Sequence, residues 1–274
     1  MDYGIVAKNI RAELKAYIQK SGLKALVLGI SGGIDSTVCA ALALPVCKEL
    51  GIPLIGRSLT IGTNKDDEII RSQMVGKTLC TDFKYVDLTE TYNTFIQDLD
   101  ASTFDPANES DTARKIRMGN VKARMRMIYI YDIAQYNKGM VLSTDNYTEL
   151  MLGFWTLHGD VGDYGMVQNL WKMEVYELST WIAENEYGVD TAGYDAIMEC
   201  VKATPTDGLG ITSSDVEQLG AKNYAEVDAI LKEELLNLNG GGDHTVAKRK
   251  RASEFKRNNP LNLLRDTICA GAEQ

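Results

Sequence analysis

Apolar residues recur at helical intervals near the start of the chain, where Tyr3, Val6, Ile10, Leu14 and Tyr17 share a face, and this periodicity predicts a helix that Gly22 ends. The next run, ALVLGI at 25–30, is continuous rather than alternating, as a strand covered on both faces requires. PLIGRSLTI (53–61), FKYVDL (83–88) and GMVLST (139–144) read as further strands, each set apart by helix-length stretches of mixed character. The alternation predicts an α/β protein built on a parallel sheet with helices on both faces. After residue 200 the pattern loosens. TPTDGLGITSSD (204–215) is rich in turn formers and NGGG (239–242) precedes a basic tail, so both read as flexible segments.

Composition sharpens this picture in three ways. With 274 residues, 45% of them hydrophobic, the chain can build one sizeable core, and we read residues 1–274 as a single domain. A formal charge of -9 argues against a broad nucleic-acid surface, which needs Lys and Arg to displace counterions, but leaves room for small anions at local sites. Cys39, Cys47, Cys80, Cys200 and Cys269 show no CxxC pair and read as reduced thiols of a cytoplasmic protein. The opening MDYGIVAKNIRAELKAYIQK interleaves charge with apolar residues, and no apolar run is long enough for a bilayer, so no membrane segment is expected.

The candidate chemistry begins at SGGIDST, residues 31–37, where the first strand hands over to a helix. Such a turn presents unpaired backbone N–H groups and the positive end of a helix dipole at the carboxyl edge of a sheet, where phosphate binds. Gly32 and Gly33 let the backbone approach an anion, and Ser31, Ser36 and Thr37 add hydroxyl donors. Neither the spacing nor the lysine of GxxxxGK[ST] is present. The plain structural alternative is a tight turn with Asp35 or Ser36 as the helix cap.

The full string resembles the pyrophosphate-binding loop of the ATP pyrophosphatases, which cleave ATP between its α and β phosphates and transfer AMP to a substrate oxygen. Within that superfamily KIRMGNVKARMRMIYIYDIAQ (115–135), STDNYTELMLGFWTLHGDVGD (143–163), LWKMEVYEL (170–178) and TPTDGL (204–209) together look like NAD synthetase of the ammonia-dependent type. The resemblance runs from the first strand to the last helices. It implies a Rossmann-like, adenine nucleotide alpha hydrolase-like fold and a homodimer with substrate sites near the shared interface. It also implies that Mg2+ and ATP activate the carboxylate of nicotinic acid adenine dinucleotide, and that ammonia then displaces AMP to give NAD.

Position by position, the resemblance assigns Ser31, Gly32, Gly33, Asp35, Ser36, Thr37, Thr144, Lys172 and Thr206 to ATP. It assigns Asp35 and Glu149 to magnesium, and Asn120, Arg124 and Asp160 to the dinucleotide. Asp35, Lys172 and Asp160 are the catalytic candidates. Read as plain structure, Lys122, Arg124 and Arg126 form a solvated helix face, Thr144 or Asp145 caps a helix, Lys172 is a solvated lysine and Asp160 a turn residue.

The chain also departs from the family pattern. Leu157 and His158 stand where a lysine usually follows the threonine, Ile116 replaces an aromatic, and Gln218 replaces a glutamate. The ATP side is therefore better kept than the dinucleotide side. Alternatives are another pyrophosphatase that amidates or thiolates a different substrate, and an idle adenylate-binding sensor. A thiolating enzyme should carry paired cysteines or a basic RNA face, and AKRKRASEFKR (247–257) reads instead as a solvated basic helix. A sensor has no need of Asp35, Glu149 and Lys172 together. Only one helix precedes the first strand and no cysteine lies near His158 or His244 in sequence, so free ammonia rather than glutamine is the expected nitrogen source.

Overall fold

The computed structural model describes residues 1–62, 64–103, 109–205, 214–236 and 242–270. Five parallel strands, β1 (Leu26–Gly29), β2 (Leu54–Thr60), β3 (Asp82–Asp87), β4 (Met140–Ser143) and β5 (Tyr164–Gly165), form one sheet in the order β3-β2-β1-β4-β5. Leu26 of β1 pairs with Leu54 on one side and Met140 on the other, so the first strand is the centre of the sheet. All four strands read from the sequence are present. The fifth was missed because two residues with a half-exposed pattern carry no periodicity.

Helices cover both faces. α1 (Tyr3–Ser21), α2 (Ile34–Leu50), α3 (Asp66–Leu79), α7 (Lys172–Ile182) and α8 (Ala192–Lys202) pack on one face with Leu26 and Leu28, while α5 (Asp111–Tyr136) packs on the other with Ala25, Val27 and Val141. Alternate residues of β1 thus enter opposite cores, which is why ALVLGI needed to be apolar throughout. α4 (Thr89–Thr103) follows β3, and α6 (Tyr147–Leu152) follows β4. A third apolar cluster joins α6 to α9 (Asp215–Gln218), α10 (Tyr224–Leu236) and α11 (Thr245–Ala252), ahead of the short α12 (Glu254–Arg257) and α13 (Arg265–Ile268).

Local chemistry explains several boundaries. α1 starts on the Asp2 carboxylate, which accepts from the Gly4 and Ile5 N–H groups, and stops at Gly22 in the left-handed conformation, φ 72°. Pro45 lies inside α2 and cannot donate to the Ala41 carbonyl one turn back. The Arg11 guanidinium donates to the Ala41 and Leu42 carbonyls instead, held by an ion pair with Glu186. An interior proline is therefore tolerated because α1 supplies the missing donor.

The topology fixes where a ligand can bind. From β1 the chain winds outward through β2 and β3, then returns to place β4 on the other side of β1. The loops leaving β1 and β4 consequently diverge and open a crevice at the carboxyl ends of those strands. The sequence-predicted flexible stretches 204–215 and 239–242 fall largely on residues 206–213 and 237–241, outside the described residues. Among the described residues, no helix is long and apolar enough to cross a membrane.

Candidate active site

The crevice is a cleft of about 580 Å³, within the size range of small-molecule sites. Its floor is the turn after β1. Gly32 has φ +83°, and a Cβ there would lie 2.6 Å from the Glu68 carbonyl oxygen and 2.9 Å from the Ser72 nitrogen. Only glycine fits this position. The Arg71 Nε donates to the Gly32 carbonyl at 3.2 Å, and the Gly33 N–H donates to the Ser31 hydroxyl at 3.1 Å, so both sides of the turn are held. α2 begins on Gly33, which has no side-chain oxygen to cap it. The first N–H groups of a 17-residue helix therefore open onto the cleft uncapped by a side chain. A Gly32→Ala variant is expected to lose nucleotide affinity by tenfold or more while remaining folded, because the clash with the α3 backbone pushes the turn out of shape at one surface contact and leaves the sheet core untouched; equilibrium binding of ATP with magnesium, alongside circular dichroism, checks it.

One wall is the start of α6. Asn146, not Thr144 or Asp145, is its cap: its side chain accepts from the Glu149 N–H at 3.0 Å, and the Glu149 carboxylate returns to the Asn146 N–H. The spacing Asn146-x-x-Glu149 was the available signal. The same side chain donates through Nδ2 to Asp35 Oδ1 at 2.8 Å, tying the two loops together across the sheet edge. Thr144 and the buried Asp145 line the cleft beside it.

Lys172 is the first residue of α7 and is only 2% exposed. Its Nζ donates to Asp35 Oδ2 at 2.5 Å and to Glu149 Oε1 at 2.9 Å, and lies over the Tyr224 ring. The solvated-lysine alternative therefore does not hold. Burial opposes its charge, but Asp35 and Glu149 outweigh that and hold the ammonium well above its ordinary range. Burial and the Asp35 charge push the Glu149 carboxyl up, against the pull of Lys172. Burial pushes Asp145 up further, reinforced by Glu149. Two carboxyl groups on one buried ammonium, with Asp145 lining the cleft beside them, make a pocket suited to a cation that arrives with its own anionic ligand.

α5 forms the opposite wall. Ile116, Asn120, Lys122, Ala123, Arg126 and Met127 face the cleft. Arg126, half-buried, donates to the Leu59 carbonyl and to Asn64, and Lys122 lies over the Tyr92 ring. Arg124 sits at the exposed flank of that face and donates to the Leu157 carbonyl at 3.1 Å; it does not line the cleft. Successive residues turn about 100° around a helix, so the three cations could not all point one way. Thr37 is likewise not on the cleft wall, since its buried hydroxyl donates to the Gly33 carbonyl within α2. Ser31, Gly32, Gly33, Asp35 and Ser36 line the cleft with Thr144, Glu149, Asp160 and Lys172, and so does Gln218. Thr206 lies outside the described residues.

The loop 153–163 closes the cleft near Asp160, whose carboxylate accepts from the Thr156 N–H, while the Thr156 hydroxyl donates to Asn120. Burial pushes the Asp160 carboxyl up. This loop is anchored by the basic tail, which is not a solvated helix. Arg249 donates to the Leu152 carbonyl, Arg257 to Leu150 and Met151, and Lys256 to Gly153 and Trp155. These carbonyls belong to the last turn of α6 and the residues just after it, and cations there oppose the negative end of the helix dipole. Arg71, Asn146 and Lys256 are among the polar residues at the cleft that sequence reading did not single out.

Comparisons with known proteins show the family and the fold. The family model for NAD synthase matches residues 6–260. An NH(3)-dependent NAD(+) synthetase from Finegoldia magna is 32% identical over 260 residues, covering 94% of this chain and 95% of that protein. Among solved structures, an NAD+ synthetase from Burkholderia pseudomallei has 25% identity and a TM-score of 0.65, covering 95% of this chain and 91% of that one. An NMN synthetase from Francisella tularensis has a TM-score of 0.75 at 23% identity, covering 96% and 97%, which shows a shared fold.

Proposed function

The chain belongs to the NAD synthase family, and from that premise we propose that it is an ammonia-dependent NAD synthetase whose chemistry is carried by Asp35, Glu149 and Lys172 at the β1/β4 crevice. The enzyme is a ligase that joins nitrogen to carbon at the expense of ATP. Its acid substrate is nicotinic acid adenine dinucleotide. The observation that carries the reading is the convergence of two carboxylates from different loops on one buried lysine above the glycine turn.

In this reading the N–H groups of residues 31–36 and the start of α2 cradle the triphosphate. Among the described residues no group of three or more His, Cys, Asp or Glu side chains is placed to hold a metal by itself. Asp35 and Glu149 nevertheless share one cation, and two carboxylates completed by phosphate oxygens and water fit magnesium. When bound, that ion would neutralise phosphate charge. Lys172, released from its carboxylates, stabilises the pyrophosphate as it leaves. Arg126 and Lys122 carry positive charge on the opposite wall, and Asn120 and Asp160 orient the far part of the substrate. Positioning and charge supply the catalysis, with no covalent nucleophile among these residues.

Arg124 reaches the substrate only from the outer flank of α5, where Ile128 and Tyr131 are exposed. We place a homodimer contact on that face, which would bring the flank into an enclosed site. The five cysteines are free, as a cytoplasmic location requires. Mass-spectrometric detection of NAD from the acid dinucleotide, ATP, magnesium and ammonium is the test. Product only from a shorter acid, such as the one whose amide is NMN, would overturn the substrate assignment while keeping the ligase chemistry.

A further inference from the structure

α7 has an unusual start. Its capping position is Trp171, which offers no side-chain oxygen, although the residue immediately after it is the lysine on which the site depends. Glu174 within α7 accepts from the Trp171 N–H, but the groups that satisfy the next two N–H groups come from elsewhere in the chain. The Lys172 N–H donates to the Thr148 hydroxyl oxygen at 2.9 Å, and the Thr148 hydroxyl donates to Asp228 Oδ1 at 2.5 Å. The Met173 N–H donates to Asp228 Oδ2 at 3.1 Å. One carboxylate from α10, itself 2% exposed, therefore caps α7 both directly and through a threonine from α6.

The consequence lies in what stands next to each bonded residue. Thr148 precedes Glu149 and Met173 follows Lys172, so the Asp228 carboxylate holds the neighbour of each partner of the buried ion pair, Thr148 by its hydroxyl and Met173 by its N–H. Asp228 does not line the cleft, which excludes direct contact with a ligand there. Its charge also lies at the positive end of the α7 dipole. We infer that Asp228 is the positioning residue that sets Lys172 against Glu149, acting through Thr148 and the first turn of α7.

This inference rests on the role given to Lys172 above. The bonds explain why a carboxylate is needed rather than any polar group. A carboxylate accepts on both oxygens, whereas an asparagine amide accepts on one and presents N–H groups to the other donor. Loss of either bond lets the start of α7 shift relative to α6, and displacements of this kind lower rates by about 10–100-fold when they move a catalytic group.

The test is a double-mutant cycle on the full-length enzyme, read by release of radiolabelled pyrophosphate, with thermal unfolding of each variant recorded alongside. Asp228→Asn is expected to lower kcat by about 10–100-fold with KM for ATP within about threefold. In a Lys172→Gln background the same change should lower kcat by less than about twofold, because the residue acts through the lysine. A merely structural role would give the same loss in both backgrounds, and that result would overturn the inference. If Lys172→Gln alone leaves kcat unchanged, the reading of the lysine fails instead, and the inference with it. Should Lys172→Gln fall below detection or Asp228→Asn fail to fold, Thr148→Ser and Thr148→Val decide. Serine is expected to retain kcat within about threefold and valine to lose it as Asp228→Asn does. Wild-type kcat in Thr148→Val would overturn the inference.

Discussion

Lys172→Gln is expected to lower kcat for pyrophosphate release by about 10²–10³-fold, the usual effect of removing one group aimed at charge that develops in the transition state. KM for ATP should change less, since the glycine turn and the start of α2 remain. The same change removes the ammonium that Asp35 and Glu149 share, and breaking a buried pair costs about 3–5 kcal/mol. The unfolding temperature without ligand should therefore fall. Magnesium with ATP should restore much of it, because a ligand that binds only the folded state adds stability by mass action. The pH dependence has a definite sign. Glu149 already holds its proton more tightly than usual, and without the lysine it does so more strongly, so the loss of stability should shrink as pH falls and Glu149 protonates. A variant that keeps kcat within twofold would remove Lys172 from the mechanism.

The nitrogen donor gives an all-or-none contrast. Purified chain with ATP, magnesium and the acid dinucleotide should form NAD with ammonium salts at mildly alkaline pH, where more of the ammonia is unprotonated. Ammonia-free glutamine should give no product above background unless a glutaminase is added. Hydrolysing glutamine requires an activated thiolate or equivalent nucleophile. Burial pushes the Cys39 and Cys200 thiols up, and pushes Cys47 and Cys80 up to about 12, the reverse of activation. His158 sits beside Asn259 and His244 bonds its own helix start, so neither is seen serving a cysteine. Efficient turnover with glutamine would show a second active site in this chain.

The sheet was legible because β1, β2 and β4 are buried on both faces, which writes largely apolar runs into the sequence, interrupted in β2 by the buried Arg57 and Ser58. The glycine turn was legible for a similar reason: the chain cannot make it with other residues. Lys172, Glu149 and Asp35 were found only through family resemblance, since residues 23 and 137 positions apart carry no mutual signal. Contacts that run between elements were the ones missed. The Asn146 bond to Asp35, the Arg71 hold on Gly32 and the Asp228 cap on α7 depend on the packing of helices that no local spacing reveals. The basic tail misled in the opposite direction, because a cationic helix that caps carbonyls has the same sequence as one that faces water.

That tail also orders events during synthesis. The glycine turn, α6 and α7 all leave the ribosome well before residues 249–257, so the sheet can pair and the crevice can open while the 150–155 carbonyls still lack their arginines and lysine. The pocket is thus fastened later in synthesis than the strands it stands on, by contacts that reach back about a hundred residues along the chain.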